Sequence, residues 1–67
     1  MQGTINRLVE EKGFGFIRVK GGRDHFFHLS DLDADLDFGE HLRELRVEFD
    51  STQEPRGARA RNIRRAQ

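Results

Sequence analysis

Lys12-Gly13-Phe14-Gly15-Phe16-Ile17-Arg18-Val19 is followed, after the pair Gly21-Gly22, by Asp24-His25-Phe26-Phe27-His28-Leu29, and these two runs decide the fold. Both are rich in aromatic and β-branched residues and are bounded by glycines, so each reads as a strand, over residues 13–20 and 24–29, joined as a hairpin. Side chains alternate faces along a strand. Phe14, Phe16 and Arg18 therefore share one face, and Ile17 and Val19 take the other. An arginine is rarely buried without a partner, which turns the Arg18 face toward water. On the next strand the same parity joins Phe26 to His28 and sets Phe27 and Leu29 opposite. Across the hairpin the two faces align, and four rings form one exposed patch. Leaving a phenylalanine in water forgoes about 1.5–3 kcal/mol of burial, so such a patch marks a binding surface. The competing reading packs Phe14, Phe16 and Phe26 into the core and exposes Ile17 and Val19. The parity of Arg18 and His28 argues against it.

Outside these runs, Lys12-Gly13, Gly39 and Pro55-Arg56-Gly57 separate short apolar segments, and further strands are expected near residues 3–9, 45–50 and 58–64. Between Asp31 and Arg43 the chain is aspartate-rich and interrupted by Gly39, which predicts a long loop with short helical structure after Leu29. Arg59, Arg61 and Ile63 share one parity, so a regular strand cannot expose the arginines and bury the isoleucine. A bulge in that strand would resolve the conflict, which the alternation alone leaves open. The reading is an all-β fold of five strands in one domain spanning residues 1–67.

A chain of 67 residues buries about 60% of its unfolded surface, which leaves no room for a large internal cavity and puts function on the surface. It has no cysteine, excluding a disulfide framework or a thiolate zinc site. No basic segment followed by an apolar stretch opens the chain, and no apolar run is long enough to span a bilayer, so a cytoplasmic protein with no membrane partner is expected. Lys and Arg total 12 against 12 Asp and Glu, so net charge predicts no partner. The distribution is uneven. Asp31 to Glu54 holds nine carboxylates and two arginines, Arg43 and Arg46, whereas Arg56, Arg59, Arg61, Arg64 and Arg65 crowd the C-terminal end.

An exposed aromatic patch with neighbouring cations suits unpaired nucleobases. Every base has a π-face, and stacking is worth about 1–3 kcal/mol per base with little dependence on sequence. Arg7, Lys12 and Arg18 are placed to follow the phosphates, and Gly13 and Gly15 would let a flat base approach the rings closely.

Lys12 to Ile17 and Asp24 to His28 resemble the two ribonucleoprotein motifs of the cold-shock domain family. The resemblance runs from Gly3-Thr4-Ile5 through Ser30-Asp31-Leu32 and Val47-Glu48-Phe49 to Pro55-Arg56-Gly57 and Asn62-Ile63, nearly the whole chain. It implies a five-stranded antiparallel OB-fold barrel that binds single-stranded RNA or DNA on its second and third strands, in the manner of RNA chaperones and of transcription and translation regulators. Carried over by motif, stacking falls to Phe14, Phe16, Phe26 and His28, with Phe38 in the long loop as a further ring. Lys12 and Arg56 match positions that contact backbone or bases, and Asp24 one that bonds a base edge. Three departures stand out. Arg7-Leu8 occurs where members often carry tryptophan and phenylalanine, Leu29 where phenylalanine is common, and Arg43-Glu44-Leu45-Arg46 where a turn normally holds glycine. A guanidinium still stacks on a base and adds charge. Weaker affinity per nucleotide with a larger ionic share is expected.

Other chemistries fit less well. Asp33, Asp35, Asp37 and Glu44 mimic a calcium loop, but Phe38 stands where that loop needs glycine and no helix precedes it. His25, His28 and His41 lack zinc spacing. Ser30-Asp31 beside His28 is no triad, and no catalytic residue is expected. The expected partner is single-stranded nucleic acid, bound by a monomer or weak dimer with no cofactor, metal or small-molecule substrate. The alternative is a small barrel that docks a peptide on the same rings.

Overall fold

The computed structural model describes residues 1–67. Five strands carry the fold: β1 (Gln2–Val9), β2 (Phe14–Arg18), β3 (His25–His28), β4 (Arg46–Glu54) and β5 (Gly57–Arg65). They form a closed barrel in the order β1-β2-β3-β5-β4. Single 3₁₀ turns at Glu10–Lys12, Leu29–Asp31 and Glu40–Leu42 link them, the second lying where short helical structure was expected. Ile5, Ile17, Phe27, Val47, Phe49 and Ile63 are fully buried and fill the barrel, each worth about 1.5–3 kcal/mol of transfer free energy. Leu36 and Leu42 of the long loop are buried with them, so the acidic segment hangs its apolar side chains on the same core.

Two bulges let a small barrel close without breaking the alternation of its faces. In β1 the register slips at Asn6, Ile5 facing Ile17 and Arg7 facing Phe16. Ile5 and Leu8, three apart, then both point inward while Arg7 is exposed. In β5 the slip lies opposite Phe49, and Asn62 takes a left-handed φ of 53°. Ala60 and Ile63 are thereby buried and Arg61 stays out, the resolution the parity of that segment required.

Some boundaries depart from the sequence expectation. β2 and β3 are shorter than residues 13–20 and 24–29, because Gly13 caps the first 3₁₀ turn at φ 71° and Leu29 opens the next. Leu29, expected on the inner face with Phe27, is therefore 45% exposed. β4 runs on past residue 50 to Glu54 and turns over Pro55-Arg56 into β5. Its polar end, Asp50 to Glu54, carries no hydrophobic alternation, so only pairing reveals it as strand. Four seams of the barrel are antiparallel as expected; the β3–β5 seam is parallel, Phe26 beside Arg59, with a second parallel bridge from Leu32 to Ile63.

Polar groups tie these elements together. His25 is buried, with Nε2 2.8 Å from Ser51 Oγ and its ring edge-on to Phe49. Asp31 is also buried. Its carboxylate accepts from the His28 backbone N–H at 2.9 Å and from Arg59 Nε at 3.2 Å and Nη2 at 3.0 Å, with Arg61 Nη1 at 3.6 Å. Arg43 donates to Glu40 and to the carbonyl of Asn6, joining the acidic loop to the β1 bulge. That hydrogen bond from Arg43 holds the Glu40 carboxyl below its ordinary range.

Candidate nucleic-acid interface

Phe14, Phe16 and Phe26 stand together on the outer face of β2 and β3. Phe16 faces Phe26 and Phe14 faces His28 across the ladder. Ring centroids lie 5.4 Å apart for Phe14–Phe26 and 6.0 Å for both Phe14–Phe16 and Phe16–Phe26. None of the three belongs to the buried core, and all are half-exposed, so the reading that packed them inside is excluded. His28, also half-exposed, accepts the Ser30 backbone N–H at Nδ1 (3.2 Å). In the neutral ring this puts the proton on Nε2, which is left as a donor.

Cations frame the rings. Arg7 lies over Phe16, its Cζ 5.9 Å from the ring centroid, so a guanidinium occupies the flank of the aromatic cluster. Arg18 is exposed beyond Phe16 and donates to Asn6 Oδ1 at 2.6 Å. Lys12 is exposed in the turn before β2, and Arg56 in the β4–β5 turn. No carboxylate pairs with Arg7, Lys12, Arg18 or Arg56. Two recesses open beside Phe16. The smaller, about 280 Å³, is bounded by Asn6, Arg7, Phe16 and the exposed Asp24. The larger, about 550 Å³, lies between Phe16, Phe26, the turn at residues 55–58, Glu54 and Arg59.

Of the residues expected at the site, Arg7, Phe14, Phe16, Asp24, Phe26, His28 and Arg56 are brought to this face or its rim, and Lys12 lies in the turn leading into it. Phe38 is not joined to the cluster. Its ring meets the buried Phe27 edge-on at 6.5 Å and packs half-exposed on the core. At Gly15 the missing side chain serves packing rather than base approach, and Gly13 takes the left-handed φ of its turn. A side chain at Gly15 would come within 2.6 Å of the Arg7 carbonyl and 2.8 Å of the Phe27 ring, and one at Gly13 within 2.7 Å of Leu29. Sequence reasoning missed Arg59, whose Cζ lies 5.8 Å from the Phe26 centroid, and Glu54. Arg59 was legible only as one of several arginines; its neighbour across the parallel seam was not.

The chain matches the 'Cold-shock' DNA-binding domain over residues 1–66. It is similar to cold shock protein CspC of Bacillus subtilis, 42% identical with 97% of each chain covered. It is also similar to cold shock protein CspA of Staphylococcus haemolyticus, 39% identical with 92% of each covered. Among solved structures it is similar to Drosophila Unr CSD456 at a TM-score of 0.75 and 31% identity, the match taking in 98% of this chain and 26% of that one.

Proposed function

The chain belongs to the cold-shock domain family, and on that premise we propose that this single domain binds single-stranded RNA or DNA by stacking bases on Phe14, Phe16 and Phe26. The observation that carries the reading is the half-exposed three-ring cluster flanked by Arg7 and Arg18, neither of which pairs with a carboxylate. Stacking supplies affinity without demanding a sequence. Arg7, Lys12, Arg18 and Arg56 follow the phosphates, His28 Nε2 and Asp24 meet base edges, and Phe38 offers its outer surface to a strand that leaves the cluster. An unpaired strand held this way is withdrawn from its hairpins by mass action, which is RNA-chaperone activity and a means of regulating transcription or translation. The process needs no cofactor and suits a cytoplasmic monomer or weak dimer.

The test is fluorescence anisotropy of labelled oligo(dT) or oligo(U), the chain having no tryptophan of its own. Phe16→Ala, with the fold checked by circular dichroism, is expected to weaken binding by about 1–3 kcal/mol. Wild-type protein that fails to bind at low salt, or whose binding ignores salt and competing single strands, would move the aromatic face to peptide docking instead.

A further inference from the structure

Phe16 separates two recesses, each holding one carboxylate. On one side stand Arg7 and Asp24, on the other Arg59 and Glu54. The smaller recess combines one phenylalanine ring with one guanidinium and one carboxylate, and the larger combines two rings, Phe16 and Phe26, with two guanidiniums, Arg56 and Arg59, and one carboxylate. A base-edge role for Asp24 follows from its motif; Glu54 has no such precedent. A carboxylate beside a phosphate path repels the ligand, so its presence in the larger recess calls for a reason.

Glu54 is held in place there. Its Oε2 accepts from Arg61 Nη2 at 3.0 Å, with Thr52 Oγ1 at 3.5 Å. Its Oε1 has Arg59 Nη1 at 3.8 Å, beyond hydrogen-bond length, and so keeps acceptor capacity. Arg59 is itself committed to Asp31 through Nε and Nη2 and lies over Phe26. The recess therefore offers a base two ring faces and one oriented, unspent carboxylate oxygen.

We propose that Glu54 reads the edge of the base seated between Phe16, Phe26 and the β4–β5 turn, and selects a base that presents an amino group, guanine foremost. Guanine's Watson–Crick edge carries adjacent N1–H and N2–H donors that converge on the free Oε1 oxygen, whereas thymine and uracil flank their single N–H with two carbonyls that the carboxylate repels. In a single strand this edge is free to be read. The assignment rests on the nucleic-acid reading above and adds a base preference to it.

The experiment scans one guanine, and separately one hypoxanthine, through each position of a seven-thymine DNA, measured by anisotropy against wild type and Glu54→Gln. At one position guanine is expected to bind about 5- to 30-fold tighter than thymine. Hypoxanthine, which lacks the amino group, should lose most of that gain, a comparison that needs only wild-type protein. In Glu54→Gln the guanine and thymine oligonucleotides should fall within about twofold of each other. A guanine preference that survives in Glu54→Gln, or no position at which guanine exceeds hypoxanthine, overturns the assignment while leaving strand binding intact. Wild-type protein that binds none of the oligonucleotides overturns the nucleic-acid reading along with it.

Discussion

Glu44 sits at φ 70°, a left-handed backbone position, in the turn where the family pattern carries glycine. Its N–H donates to the Ile5 carbonyl at 2.8 Å, and the Ile5 N–H to the Leu45 carbonyl at 2.9 Å. The turn is thus kept by its neighbours, at a conformational cost of about 1–2 kcal/mol for a residue with a Cβ. Glu44→Gly should remove that strain and, after the greater entropy of an unfolded glycine, raise stability by about 0.5–1 kcal/mol in urea denaturation. The missing glycine was plain in the sequence; that a glutamate would take a left-handed position in that turn was not. Gly15 teaches the converse. Its occurrence between two exposed rings reads as space for a ligand, yet parity turns the missing side chain inward, against Arg7 and Phe27.

Among the elements, β3 and β5 are joined by a single Cα pairing, Phe26 with Arg59, reinforced by the buried Asp31 carboxylate and, just beyond β3, by the Leu32–Ile63 bridge. The same carboxylate caps the turn after β3 and holds the guanidinium that covers Phe26. Asp31→Asn keeps the shape and removes the charge, leaving Arg59 in a half-buried site without its partner. A loss of about 2–3 kcal/mol in urea denaturation is expected, less than for a fully buried pair because Arg59 keeps some water. No local pattern pointed to this pair, since Asp31 reads as one more residue of an acidic loop. The parity conflict in β5, by contrast, was legible, because Arg59, Arg61 and Ile63 cannot all satisfy one regular strand; the bulge that resolves it, at Asn62, was set by pairing with β4.

For the whole molecule, an even charge balance conceals a division of labour. Arg59 and Arg61 are engaged by Asp31 and Glu54, and Arg64 lies 3.9 Å from Asp50. Arg7, Lys12, Arg18 and Arg56 have no such partners. If each of these four neutralises one phosphate, log affinity should fall with log salt at a slope of roughly −2 to −3. Arg56→Gln should reduce that slope by about 0.7, and Arg64→Gln should leave it unchanged, both read from oligo(dT) titrations at several salt concentrations. The sequence revealed the strands, the ring face and the crowding of arginine toward the C-terminal end, all carried by periodicity and composition. Which arginines are internally neutralised depends on contacts between segments far apart in the chain, and periodicity holds no record of those.

The parallel seam also bears on how fast the barrel forms and opens. Phe26 and Arg59 lie far apart in the chain, as do the partners of the β1–β4 seam, where Gln2 faces Glu48, while the β1–β2, β2–β3 and β4–β5 pairs are hairpins of adjacent strands. Local hairpins pay little loop-closure entropy and form early, whereas the ring can close only once both hairpin groups exist. Contacts made that late are absent from the rate-limiting barrier, so the stability lost in Asp31→Asn should emerge as faster unfolding with a nearly unaltered refolding rate. The β3–β5 joint, one of the two long-range seams that close the ring, then acts as a latch on how long each molecule stays shut.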